Sequence, residues 1–241
     1  MFCILQKELN AFFSALAGYT VVGFFLVLMG LLLWVFPATN LLDTGYADLS
    51  PFFEIAPYVL MFLVPAITMA LLAEERKLGT WEILRTSPLS VTQIIWGKYL
   101  ASLLIILLTL LLTSVYYFSI YQLASPVGNV DTAVIVGSYI GLAWVGAAFA
   151  ALGLGASTLT ESQLVACLLS VLLCFLLYQG FDAWTTLQTW KRYSLVLAQL
   201  GIHYHYQALS KGVIDLRDVA YFLSLIILTL LTSRWILLRK R

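Results

Sequence analysis

Residues 99–122 read YLASLLIILLTLLLTSVYYFSIYQ, twenty-four positions without a charge. A helix that crosses a bilayer needs about 20 mostly apolar residues. This run meets that need, and it is too long and too uniformly apolar to be a surface helix of a soluble domain. Five more segments read the same way: 19–36, ended by Pro37; 57–73, with Pro65 inside it; 133–158; 164–181; and 219–233. The fourth of the six spans carries Gly137, Gly141, Gly146, Gly153 and Gly155, so a neighbouring backbone can come close. The first span is too long for a secretory signal, has Glu8 ahead of it and lacks a clean cleavage site.

Composition agrees over all 241 residues. Hydrophobic residues make up 62% and charged residues 10%, against about 25% charged in an ordinary soluble domain. The mean hydropathy is +0.96. A soluble enzyme, a disordered regulator and a nucleic-acid binder are excluded, the last also because the net charge is only +1. Cys3, Cys167 and Cys174 form neither a CxxC pair nor a Cys/His cluster and read as reduced thiols.

The cations set the orientation. Lys7, Arg76, Lys77, Arg85, Lys98, Arg234, Arg239, Lys240 and Arg241 fall on one side. The opposite loops, 38–56 and 123–132, carry Asp43, Asp48, Glu54 and Asp131, and Lys191, Arg192, Lys211 and Arg217 lie in the long last loop. Both termini are therefore expected in the cytoplasm.

Two amphipathic stretches flank the spans. Phe2, Leu5, Leu9, Phe12, Phe13 and Leu16 recur at helical spacing opposite Gln6, Lys7 and Asn10, which predicts a helix over 1–16 lying in the interface. The outer loop 182–218 holds Trp184, Trp190, Tyr193, Tyr204 and Tyr206, residues that settle at headgroups. In it, Gly212 ends a short helix, and Asp215 and Asp218 serve as N-cap and N3 acid of the sixth span. The only histidines, His203 and His205, reach one metal only if that stretch is extended; otherwise they are interfacial polar residues.

No charge falls inside the six spans, which argues against a proton- or sodium-driven carrier. No nucleophile–base pair, ligand cluster or GxxxxGK[ST] loop is present, so no metal site or catalytic residue is expected, and energy for transport must come from elsewhere. Tyr116, Tyr117, Ser119, Tyr121 and Ser138 permit an amphipathic or lipid-linked cargo without requiring one.

The connector between the second and third spans, 74–90, is more specific. Gly79 ends one helix and Thr80 caps a short one from Trp81 to about Thr86. Ser87-Pro88 stops it, and Ser90 with Gln93 makes a capping box for the next helix. Leu78, Trp81 and Leu84 repeat every three residues, while Glu74, Glu75, Glu82 and Arg85 carry charge. A short rigid helix between two spans passes force to both.

The run Glu75-Arg76-Lys77-Leu78-Gly79-Thr80-Trp81-Glu82-Ile83-Leu84, then Pro88, then Gly97-Lys98, resembles the E-x-x-x-G-T-x-E-x-L … P … G-K signature of ABC-2-type transporter permeases. Leu159-Thr160-Glu161-Ser162-Gln163-Leu164-Val165-Ala166 resembles that family's L-T-x-N-Q-x-x-A turn, with Ser162 where the family has Asn. Residues 212–222, including Val213 and Ile214, are similar to the end of the gliding-motility-associated permease subunit.

The resemblance implies an all-α, polytopic permease domain over 1–241 in a bacterial inner membrane. It has six transmembrane helices, an N-terminal interfacial helix and a short cytoplasmic coupling helix. A separate ABC ATPase would bind ATP and Mg, leaving this chain without a cofactor. It would dock on Glu74, Glu75, Arg76, Gly79, Thr80, Trp81, Glu82, Leu84, Arg85 and Pro88, with a second contact at Thr160, Glu161 and Gln163. Six spans are half the family's complement, so a second permease chain, identical or different, is implied alongside membrane lipid. Export is the implied direction; the alternative is a membrane anchor through which the ATPase does mechanical work on a cell-envelope or gliding-motility complex.

Overall fold

The computed structural model describes residues 1–37, 39–41, 48–86, 88–185, 197–212 and 215–239. Expectations resting on Asp43, Ser87, Trp190, Lys191, Arg192, Tyr193, Val213, Ile214, Lys240 and Arg241 lie outside those residues. The described residues are helical, with no strand among them.

Two helices open the chain, α1 (Phe2–Ser14) and α2 (Leu16–Trp34), bent by 69° where Ala15 turns extended. Gly18 is required there, because a Cβ would strike the Phe12 carbonyl oxygen. The bend separates an amphipathic helix from an apolar one, as the change of pattern predicts. Five helices downstream are long and apolar enough to cross a membrane: Ser50–Lys77, Val91–Leu123, Thr132–Leu159, Gln163–Trp184 and Leu216–Arg239. The bent pair α1–α2 makes a sixth only if its two arms count together.

The second segment begins seven residues before the expected Pro57. Asp48 explains the early start: its carboxylate accepts the Ser50 N–H (3.1 Å) and hydroxyl (2.6 Å), and Pro51 suits a first turn. Pro57 therefore sits inside α3 (Ser50–Thr68). It has no N–H to offer the Phe53 carbonyl four residues back, and the Tyr206 hydroxyl donates to that oxygen instead, at 2.7 Å. Four residues after Pro65 the helix breaks at Met69 and resumes as α4 (Ala70–Lys77). The Leu72 and Ala73 N–H groups beyond the break both donate to the Ser157 hydroxyl, at 3.0 Å each.

A short helix, α5 (Thr80–Thr86), leads into α6 (Val91–Leu112) and α7 (Ser114–Leu123). Helix α8 (Thr132–Leu159), capped by Asp131, is central and touches α3, α4, α6 and α9. Its glycines are the contact points. A Cβ on Gly137 would lie 2.7 Å from the Gly212 Cα, and one on Gly146 would lie 2.8 Å from Ile106. Helix α9 (Gln163–Phe175) continues into a five-residue π-helix, Leu176–Gly180, and then α10 (Phe181–Thr185).

Helix α11 (Ile202–Leu209) ends near Gly212, whose φ of +78° fits the expected stop. The last helix, α12 (Leu216–Arg239), runs past the expected end at Ser233, because Arg234 and Arg239 prolong the helix rather than ending it. Asp215 accepts the Arg217 N–H at 3.0 Å, as an N-cap does.

Candidate functional site

The connector is built from its own backbone chemistry. The Leu78 N–H donates to the Glu74 carbonyl (2.9 Å) and the Gly79 N–H to the Arg76 carbonyl (3.2 Å). Gly79 then takes φ +71°, a left-handed conformation that a Cβ would resist. Thr80 departs from the expected cap: it lies inside α5 and its hydroxyl donates back to the Glu75 carbonyl at 3.2 Å. It therefore closes the end of α4, where carbonyls lack partners. The capping box at the next helix is complete, with Ser90 accepting the Gln93 N–H at 3.3 Å and Gln93 accepting the Ser90 N–H at 3.1 Å.

The three apolar positions do not share one environment. Trp81 is buried and Leu84 half-buried against the core, whereas Leu78 is 66% exposed. Glu74, Lys77, Thr80, Glu82 and Pro88 are exposed. Arg85 lies on α5, but its side chain is outside the described set.

Two expected docking residues are engaged within the chain. Glu75 Oε1 accepts Lys98 Nζ and Lys7 Nζ, both at 2.9 Å. Lys98 Nζ also binds Glu8 Oε1 at 2.7 Å and donates to the Leu71 carbonyl at 2.6 Å, with its side chain 1% exposed. Helix α1 is thus bonded to the end of α4 and the start of α6, the two roots of the connector. Gly97 permits this, because Ile4 of α1 packs against it at a distance that would crowd any Cβ (3.0 Å). Burial works against the Lys7 charge, but the hydrogen bonds and charges of Glu75 and Glu8 outweigh it and raise the Lys7 pKa. A cavity of about 630 Å³ lies beside this cluster, between α1–α2 and α3, α4 and α6.

Arg76 faces the other way. It donates to the Thr158 carbonyl at 2.7 Å and pairs with Glu161 at 3.1 Å, joining the connector to the turn after α8. In that turn Thr160 Oγ1 accepts the Ser162 N–H at 3.0 Å, and Glu161 is exposed. Gln163 opens α9 and lines the 630 Å³ cavity. The structure therefore brings Glu75, Arg76, Thr80 and Glu161 into one linkage and leaves Glu74, Glu82 and Pro88 on its surface. Sequence reasoning missed Lys7, Glu8 and Lys98 as members; the Gly97-Lys98 pair was the available signal.

At the opposite end, His203 and His205 sit on a helix, so they point apart and cannot share a metal. No group of metal-ligating side chains exists among the described residues. His205 is buried, with Nδ1 2.6 Å from Asp218 and Nε2 2.8 Å from the Gln199 carbonyl, and it stacks on Tyr221. The polar residues noted for a cargo are partly used internally: Tyr116 donates to the Leu26 carbonyl and Ser138 to the Ser210 carbonyl.

Long apolar helices around a glycine-lined central helix, with a braced charged connector at one end, define a multi-pass membrane protein. The profile of the ABC-2 family transporter proteins matches residues 36–233, and the chain belongs to that family. Membership makes it a membrane permease subunit of an ABC transporter, a kind of subunit that generally works with a separate ATPase. No curated protein matches the chain.

Proposed function

We propose that this chain is the gate of an ABC exporter in a bacterial inner membrane, with α2 as the first of six spans, α1 in the interface, both termini cytoplasmic, and a separate ATPase docking on α5. The observation that carries the reading is the bracing of the connector. Its roots are tied to α1 through Glu75–Lys98–Glu8 and to the turn after α8 through Arg76–Glu161. A push on α5 is then delivered to α3–α4, α6 and α8 together. The exposed set Glu74, Lys77, Leu78, Thr80 and Glu82 supplies mixed charge and one apolar contact for the partner. Glu75 and Arg76 transmit rather than dock, and Thr160, Glu161 and Gln163 form the secondary contact.

The ATPase supplies the nucleotide chemistry with Mg, and a second permease chain completes the pore. The similarity of residues 212–222 supports a gliding-motility-type subunit, with mechanical work on an envelope complex as the alternative output.

The test replaces Glu82 and Thr80 with Ala and measures co-purification with the ATPase and ATP turnover. Both should fall, and Glu82→Lys should fall further, because a reversed charge repels where a truncated one only fails to attract. Unchanged association and turnover would overturn the docking surface.

A further inference from the structure

We infer that a cavity of about 530 Å³ at the end of the bundle remote from α5 binds a neutral polyhydroxylated group, the chemistry of a sugar. It lies between the start of α3, the start of α8, the π-helix and α11. Its volume falls in the range of about 300–1,000 Å³ usual for small-molecule sites.

Two polar groups in its wall have no hydrogen-bond partner among the described residues, and one of them, His203 Nδ1, is buried. Tyr178 is 1% exposed, and its hydroxyl makes no hydrogen bond among the described residues. It reaches this wall from the π-helix Leu176–Gly180, a local widening that often marks functional positions. His203 Nδ1 is the second. The His203 Nε2 lies 2.8 Å from the Gln207 amide and 3.6 Å from the Asp182 carboxylate, so Nδ1 is the nitrogen of the ring that faces no partner. Buried polar atoms without partners are costly and rare, so His203 Nδ1 beside the unpaired Tyr178 hydroxyl calls for a ligand that can both donate and accept hydrogen bonds.

The rest of the lining narrows the chemistry. Tyr206 and Tyr58 spend their hydroxyls on the Phe53 carbonyl and on Gln179, so their rings serve as apolar walls. The Tyr58 and Tyr178 ring centroids are 5.4 Å apart. Glu54 and Lys211 also line the cavity, are exposed, and form no ion pair among the described residues, while the Asp48 carboxylate holds Ser50. An organic cation would meet Lys211. A phosphate would meet Glu54 and Asp48. A polyol both donates and accepts, so it serves the Tyr178 hydroxyl and His203 Nδ1 in either tautomer, gives hydroxyl donors to Glu54, and lays C–H faces on the tyrosine rings.

This reading stands apart from the docking surface, so the test uses the full chain without ATPase or nucleotide. The chain is purified without glycosidic detergent into nanodiscs of phosphatidylethanolamine and phosphatidylglycerol. Maltose, a diglucosyl lipid, choline and inorganic phosphate are titrated by saturation-transfer NMR and calorimetry. Saturable binding of maltose or of the diglucosyl lipid is expected. Binding of the lipid alone assigns a glycolipid headgroup, and binding of both assigns the sugar itself.

Tyr178→Phe and His203→Leu should each weaken binding about tenfold, and His203→Asn, whose amide keeps a hydrogen-bonding group near Nδ1, should retain most of it. Glu54→Gln, at an exposed position, should weaken it without disturbing the fold. Tighter binding of choline or phosphate, no binding of either glycoside, or binding unchanged in Tyr178→Phe and His203→Leu would overturn the assignment.

Discussion

Lys98 shows how one side chain can tie three helices of a membrane protein together. Its ammonium is buried against two carboxylates and a carbonyl. Removing one partner of such a cluster leaves the others charged and dry, at a cost of about 3–5 kcal/mol. Lys98→Met should therefore lower the thermal unfolding midpoint in detergent sharply. Adding Glu8→Gln and Glu75→Gln should recover part of the loss, because the stranded charges are then gone. In the sequence Lys98 stood out only as the second half of the Gly97-Lys98 pair before an apolar run. Its partners lie ninety and twenty-three positions away, and no local pattern encodes such a pairing. Lys7, at the rim of the same cluster, carries the pH dependence. Its pKa is raised in the folded chain, so its contribution is complete below the ordinary lysine value of 10.5 and is lost as pH rises through the raised one. The stability gap between wild type and Lys7→Gln should be flat from neutral pH to about 10 and close above it, read from unfolding midpoints across pH.

Among the elements, α8 was legible in kind and illegible in detail. Its glycines announce close packing, yet nothing in the sequence names what packs there. At Gly153 a Cβ would strike the Thr68 side chain, which is buried and bonded to the Val64 carbonyl. Gly153→Ala should destabilise by about 1–3 kcal/mol, the usual range for overpacking. Gly23→Ala in α2, where a Cβ meets nothing within 4 Å, should be neutral or stabilising by up to about 1 kcal/mol through helix propensity. Thermal unfolding of the pair separates packing from propensity. The connector was read more fully, because glycine stops and capping boxes are local chemistry. Thr80 was misread for the same reason: a threonine after a glycine looks like an N-cap, and only the fold reveals that its hydroxyl closes the helix behind it. The apolar span read from Pro57 starts seven residues after α3 does. Tyr206, 153 positions after Phe53, occupies the Phe53 carbonyl that Pro57 leaves open.

The whole molecule presents two kinds of apolar surface. Helices α2 and α9 both pack on α3, so the three form one continuous side. On it Phe62, Phe24 and Leu168 point outward. Helix α12, which packs on α8 and α6, exposes a different side through Leu228 and Trp235. Lipid accepts either side equally well, so apolarity alone does not choose a partner face. On the proposed function the linkage does: the α3–α4 rod joins the connector directly, and a gate moved by α5 would open where that rod meets its counterpart. On that proposal a second permease chain lies against the α2–α3–α9 side. In a background carrying Cys3→Ala and Cys167→Ala, Phe62→Cys and Leu168→Cys should cross-link between chains in native membranes, whereas Leu228→Cys should stay monomeric. Cys174 is buried and needs no replacement. A product of twice the chain mass marks an identical partner, and one of another mass, appearing only when the neighbouring membrane subunit is co-expressed, marks a different one. Cross-linking through Leu228→Cys alone would move the seam to α12 and separate the gate from the rod that drives it.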